Sequence, residues 1–231
     1  MQGLGTIVNS AAIFVGSLLG ILLKRGLPER WQQTIMSGIA LSIVIIGVQM
    51  ALKTNDIVIV IISLALGSVI GEIMDIEKRL ENLGGKIGSL LTGGNKTAAD
   101  SIAEGFVNAS VLFCSGAMSI VGSIQDGLSG DHTTLFAKAA IDGLIALVFS
   151  SQFGLGVMFS SVSVGLYQGF ITMISGSAAP FITREILAEI TASGGILIMA
   201  IGTNMLHITK IRIGNMVPGM LVAAVLAGYF M

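Results

Sequence analysis

Eight predominantly apolar runs of about twenty residues follow one another along this chain, and they remove most folds from consideration. The runs cover residues 4–23, 34–52, 57–74, 106–124, 134–151, 154–174, 190–208 and 213–231. At ~1.5 Å per residue a helix of that length crosses the ~30 Å hydrocarbon core of a bilayer. Lipid offers no partner to a backbone N–H or C=O, so runs this long are helical. The spanning strands of a barrel would alternate every second residue over about ten residues, and these runs do not. Charged residues make up 11% of the chain, against about 25% in a soluble domain. The expected fold is an all-α membrane protein with about eight transmembrane helices.

Several function classes fall away at once. A net charge of −1 gives no basic surface for nucleic acid. Cys114 is the single cysteine, which excludes an intramolecular disulfide and a cysteine-based metal site. No histidine–carboxylate spacing suits a metal, no nucleophile elbow or phosphate loop is present, and no cofactor is expected. Enzyme chemistry therefore lacks its parts. Residues 1–5 carry no basic n-region, so the first run is read as a mature span rather than a signal peptide.

Basic residues set the orientation. Lys24, Arg25, Arg30, Lys78, Arg79, Lys86, Lys96, Lys210 and Arg212 fall on one side, while only Lys53, Lys138 and Arg184 fall on the other. The richer side is cytoplasmic, which places both termini outside. The third loop, on the cytoplasmic side, is the longest, and Ile76, Leu80, Leu83, Ile87 and Leu90 recur along it at helical spacing. It reads as an amphipathic helix, either on the membrane surface or packed against the bundle. Residues 180–189 read as a second short interfacial piece outside.

The apolar runs also echo one another. Val8-Asn9-Ser10-Ala11 is matched by Val107-Asn108-Ala109-Ser110, Gln49 by Gln152, and Gly67-x-x-x-Gly71 by Gly165-x-x-x-Gly169. With alternating spans the two triplets run in opposite directions, an inverted-topology 3+3 repeat with two helices appended. The expected organisation is residues 1–74, a cytoplasmic linker 75–100, an inverted copy 101–175, and a C-terminal segment 176–231. Gly202-x-Asn204-Met205 also echoes Gly47-x-Gln49-Met50, a possible third partial copy.

Asp142 is the most central acidic residue, about eight residues into the fifth run, near the midplane. It has two readings: a functional carboxylate on an ion or solute path, or the partner of Lys138 in a structural i,i+4 ion pair. Asn9 and Asn108 are polar amides in apolar runs and serve either a pathway or interhelical hydrogen bonds; their duplication favours the pathway. Gln49 and Gln152 are gates or interfacial residues, and Gln168 and Asn204 complete the candidate path. Gln125-Asp126-Gly127 reads as a turn more readily than as a vestibule.

These strings together resemble a family of bacterial membrane proteins, the YqgA/YdfK type, catalogued as a domain of unknown function. The resemblance runs over the whole chain. It rests on Gly5-x-x-x-Asn9, Gly16-x-x-x-Gly20, Gly105-Phe106-Val107-Asn108, Gly122-Ser123-Ile124-Gln125-Asp126-Gly127, Asp142-Gly143 and Gln168-Gly169. Gly194-Gly195, Gly202-x-Asn204 and Arg212-x-Gly214-Asn215-x-x-Pro218 add to it. It implies a multispanning protein of the bacterial inner membrane, described in terms of transport, and supplies neither a substrate nor a site residue.

The sequence thus points to a small transporter or channel for an ion or small polar solute, with cation or proton-coupled movement favoured. The chain is small for a complete path, so a homodimer or higher homo-oligomer is expected. The alternative is a non-transporting scaffold or regulatory membrane protein acting through residues 75–100.

Overall fold

The structure, a computed structural model, describes residues 1–24, 29–79, 82 and 96–230. Among the described residues it contains helices and no strand. In chain order these are α1 (Leu4–Lys24), α2 (Glu29–Ala51), α3 (Ile57–Met74), α4 (Lys96–Cys114) and α5 (Ala117–Ser129). They continue with α6 (Thr133–Phe153), α7 (Leu155–Ala178), a 3-10 turn (Ala179–Phe181), α8 (Arg184–Met205), α9 (Ile213–Met216) and α10 (Pro218–Phe230). Six segments are long and apolar enough to cross a membrane: Leu4–Leu23, Ile57–Met74, Thr133–Phe153, Leu155–Ser177, Arg184–Met205 and Ile213–Phe230. Ser37–Ala51 of α2 is a shorter apolar helix. The chain is an all-α multispanning membrane protein.

Three boundaries differ from the sequence reading. The run at 106–124 is not one straight helix: it belongs to α4 and α5, whose segments Ala99–Cys114 and Met118–Ser129 meet at 63°. The break falls at Ser115-Gly116, and the Ser119 hydroxyl donates to the Phe113 carbonyl over 2.8 Å. That bond satisfies an acceptor that a continuous ladder would have used, one of the recognised causes of a kink. Residues 184–189 are not a separate short piece but the start of α8, where the Thr183 side chain accepts the Ile186 N–H. The last run divides at Pro218, which stands at the first position of α10, where its missing N–H costs nothing. Most of the expected helix at 75–100 lies outside the described residues, and Lys96–Asp100 form the first turn of α4.

The chain separates into two compact units, one of residues 1–32, 80–114 and 118–179, the other of 33–79, 115–117 and 180–231. In the first, α1 packs along α6 in parallel: Gly5 meets Leu135, Gly16 meets Gly143, and Gly20 meets Leu147. The α4–α5 pair traverses the whole unit. Gly105 touches Phe153 at the C-terminal end of α6, and Asp126 reaches the N-terminus of α1 at the opposite end. Gly154, with φ of 61°, reverses the chain from α6 into α7, a left-handed conformation that glycine adopts at no steric cost.

The packing is inside-out relative to a soluble bundle. On α1 the buried stripe is Thr6, Asn9, Ile13 and Ser17, while Phe14, Val15, Leu18, Leu19 and Leu22 are exposed. Lipid is as apolar as leucine, so helices associate through small residues and polar contacts instead. In the second unit α3 and α10 run antiparallel, Gly67 against Gly219 and Gly71 against Asn215. Helices α2 and α8 do likewise, Gly47 against Gly195 and Met199, and Gly202 against Ala40 and Val44.

Ser10 lies against Gly165 in the first unit, and in the second Gly219 lies against Ser63 and Leu64. Gly47 and Gly202 are reciprocal, each meeting residues three and seven before the other, so the echo seen in the sequence falls on one α2–α8 crossing. The GxxxG strings matched in the sequence are not equivalent: Gly67 and Gly71 both pack on the α9–α10 segment, whereas Gly165 meets Ser10 and Gly169 faces open space.

Candidate functional site

Helix α6 carries Leu135, Lys138 and Asp142 at spacings of three and four, so all three lie on its buried face. Helix α1 presents Asn9 to the same place, and the close approach follows from Gly16 and Gly143, whose backbones touch. Lys138 Nζ donates to Asp142 Oδ2 over 2.6 Å, and Asn9 Nδ2 donates to the same oxygen over 3.1 Å. Asn9 is fully buried and Lys138 and Asp142 nearly so. Because the amide nitrogen must face the carboxylate, Asn9 Oδ1 points the other way, and it has no hydrogen-bond partner. Two donors on one oxygen hold the carboxylate ten residues into a 21-residue helix. An amide acceptor beside it, buried and unmatched, costs on the order of 1–3 kcal/mol unless a donor occupies it.

Three further carboxylates secure helix starts. Asp126 is fully buried and accepts the Gly3 N–H (2.9 Å) on Oδ1 and the Gly5 N–H (3.0 Å) on Oδ2, at the N-terminus of α1. His132 Nδ1 lies 3.0 Å from Oδ1 in an ion-pair contact, but off the line of a ring N–H hydrogen bond. In the second unit the fully buried Glu189 accepts the Thr54 hydroxyl (2.6 Å) and the Asn55 and Asp56 N–H groups (2.7 and 3.2 Å), just before α3. Glu77 accepts the Gly214 N–H (2.8 Å) at the start of α9 while its own N–H donates to Asn215 Oδ1 (2.7 Å). Each acid meets the otherwise unpaired amides and the positive end of a helix dipole. The structure therefore corrects the reading of Gln125-Asp126-Gly127 as a turn: the three residues lie within α5, and Asp126 is a long-range cap.

A family model described as a protein of unknown function, DUF554, matches residues 4–228. The chain belongs to the DUF554 family. Two curated relatives in that family's mould align along nearly their full length. The uncharacterized membrane protein YdfK of Bacillus subtilis (strain 168) is 31% identical over 225 residues, spanning 96% of this chain and 94% of its own. The uncharacterized protein YqgA of Escherichia coli (strain K12) is 29% identical over 221 residues, spanning 95% and 94%. No solved structure matches the chain.

In this DUF554 chain the remaining sequence candidates scatter. Asn108 is buried on α4 and is not among the groups that bond Asp142. Gln168, fully buried on α7, approaches Ser119 Oγ at 3.4 Å through Nε2, and its Oε1 has no partner. Gln49 is exposed on α2 and Gln152 is half-buried near the end of α6. Asn204 organises a loop: Oδ1 accepts the Thr209 hydroxyl and the Ile211 N–H, and Nδ2 donates to the Ile211 carbonyl. The strings Gly122–Gly127 and Arg212–Pro218, on which the resemblance rests, map onto two of the three carboxylate caps. Asp126, Glu189 and Glu77 were missed as a class because each cap joins residues more than a hundred positions apart.

Proposed function

We propose that this protein is a small transporter or channel whose path passes the Asn9–Lys138–Asp142 cluster. The observation that supports this reading most is the orphaned Asn9 Oδ1 beside a mid-helix carboxylate. A purely structural ion pair has no use for a buried acceptor without a donor, whereas a site that takes up an ion or a hydrogen-bonding solute does. Lys138 already neutralises Asp142, so the solute is small and either a cation that displaces the ammonium or a polar solute moved together with a proton. The protein resides in the bacterial inner membrane with both termini outside and α4–α5 as one bent crossing among eight. It works as a homo-oligomer.

The test is flux into liposomes containing the purified protein, across a panel of monovalent cations, protons and small polar solutes. Flux above protein-free liposomes is expected, with at least a tenfold loss in Asp142→Asn and a smaller loss in Asn9→Ala. Absence of flux for the whole panel would remove the reading. The second reading, a non-transporting scaffold acting through residues 75–100, draws on the short Lys138–Asp142 contact, which serves equally as a structural tie. It requires that removing those residues abolishes function while Asp142→Asn leaves it intact.

A further inference from the structure

The buried face of α6 alternates along its first ten residues, and the alternation resolves into layers. At its start His132, whose side chain is 15% exposed, sits against Asp126. Three residues on, Leu135 is fully buried. Three and seven residues further come Lys138 and Asp142. Helix α1 tracks the same levels in parallel: its Gly3 and Gly5 amides bind Asp126, and its Asn9 binds Asp142. Gly5 and Asn9 are one turn apart, ~6 Å along the axis. Asp126 is thus bound by Gly3 and Gly5 at the end of the unit, and Asp142 by Asn9, four to six residues further along α1.

Along the buried face of α6, Leu135 falls between His132 and the Lys138–Asp142 pair. Its side chain is seated on two glycines, Gly5 of α1 and Gly122 of α5, where any Cβ would collide with it. Thr6, between Gly5 and Asn9 on α1, is buried and its hydroxyl has no partner. Together with Asn9 Oδ1, this gives two unmatched buried polar oxygens one turn apart on α1, the helix on which Leu135 is seated. Buried polar groups left unpaired on a helix that a single apolar side chain covers suit a path whose water is excluded until that side chain moves.

We propose that His132, held by Asp126, exchanges protons with the aqueous phase at the mouth of the path, that Asp142 is the inner acceptor, and that Leu135 is the dry gate between them. This rests on the transport reading above and assigns the proton as the coupling ion. With Leu135 displaced, a proton leaves the His132 imidazolium and arrives, through water, on the Asp142 carboxylate. The imidazole becomes neutral, the carboxylate becomes a carboxylic acid, and the total charge is unchanged. The Lys138 ammonium, freed of its acceptor, is then available to repel or replace a cation. The charged and titratable neighbours are few. His132 faces Asp126 on α5 and adjoins Asp131 in its own loop, while Asp142 faces Lys138 on α6 and lies within electrostatic reach of Cys114 on α4.

The test is infrared difference spectroscopy on the purified full-length protein in lipid nanodiscs after a rapid drop in pH. A carboxylic-acid carbonyl band that is missing in Asp142→Asn is expected. It should form at least tenfold more slowly in His132→Gln and at least tenfold faster in Leu135→Ala. Leu135→Met, which keeps the volume, should retain the wild-type rate and shows that any change in Leu135→Ala is not misfolding. Equal rates in all four proteins, or no band assignable to Asp142, would overturn the proposal. Liposome flux on the same proteins separates the two ideas. Flux with ungated protonation leaves transport standing and removes the gate; gated protonation without flux does the reverse.

Discussion

Lys138 and Asp142 form a pair in which neither member is tolerable alone. Removing one leaves a buried charge uncompensated, which costs about 3–5 kcal/mol, whereas replacing both by apolar residues of similar volume is often neutral. Lys138→Met and Asp142→Leu should each lower the detergent melting temperature sharply, and the double variant should recover most of the loss in a thermal-shift series. Asp126→Asn removes a charge-assisted contact from the N-terminus of α1 and should cost about 1–2 kcal/mol, read in the same assay. Legibility differed among these residues. The i,i+4 spacing gave the Lys138–Asp142 pair directly, and the polarity of Asn9 in an apolar run marked it as needing a partner. Asp126 was opaque because Asp-Gly is locally the chemistry of a turn, while its true partners lie 121 and 123 residues away.

Helices carry the contacts through glycine. The carbonyl of Asn215 occupies the place of a Gly71 side chain, whereas nothing lies within 4 Å of Gly169. Gly71→Ala should therefore overpack the α3 crossing and cost about 1–3 kcal/mol, while Gly169→Ala stays within ~0.5 kcal/mol. Both are measurable by melting temperature, and equal effects would show that the α3 crossing is not fixed by glycine. Most elements were readable because hydrophobic length alone specifies a spanning helix. The α4–α5 bend was not read, although Ser115-Gly116 is a pair at which helices kink, because the run continues apolar on both sides and the hydroxyl bond that fixes the bend depends on the folded backbone. The start of α8 was missed for a related reason: Arg184 and Glu185 look interfacial, yet Thr183 caps a helix there.

At the scale of the molecule, two units are built from helices distant in sequence. The sequence showed the Gly47/Gly202 crossing and not the others, since Ser10/Gly165 and Leu64/Gly219 pair unlike residues. Orientation remains a direct prediction. Tags on both termini should be accessible to impermeant reagents from outside the cell, and a cysteine placed in the 75–100 loop should not. The distance between partners also sets a requirement during synthesis. Asn9 must wait for Asp142, 133 residues later, which at 5–20 residues per second is roughly 7–27 s. For that time the first helix lies in the membrane with Thr6, Asn9 and Ser17 uncovered. Its assembly therefore depends on whatever shelters a polar stripe in nascent chains, and depletion of a membrane insertase should trap this protein with α1 sensitive to proteolysis.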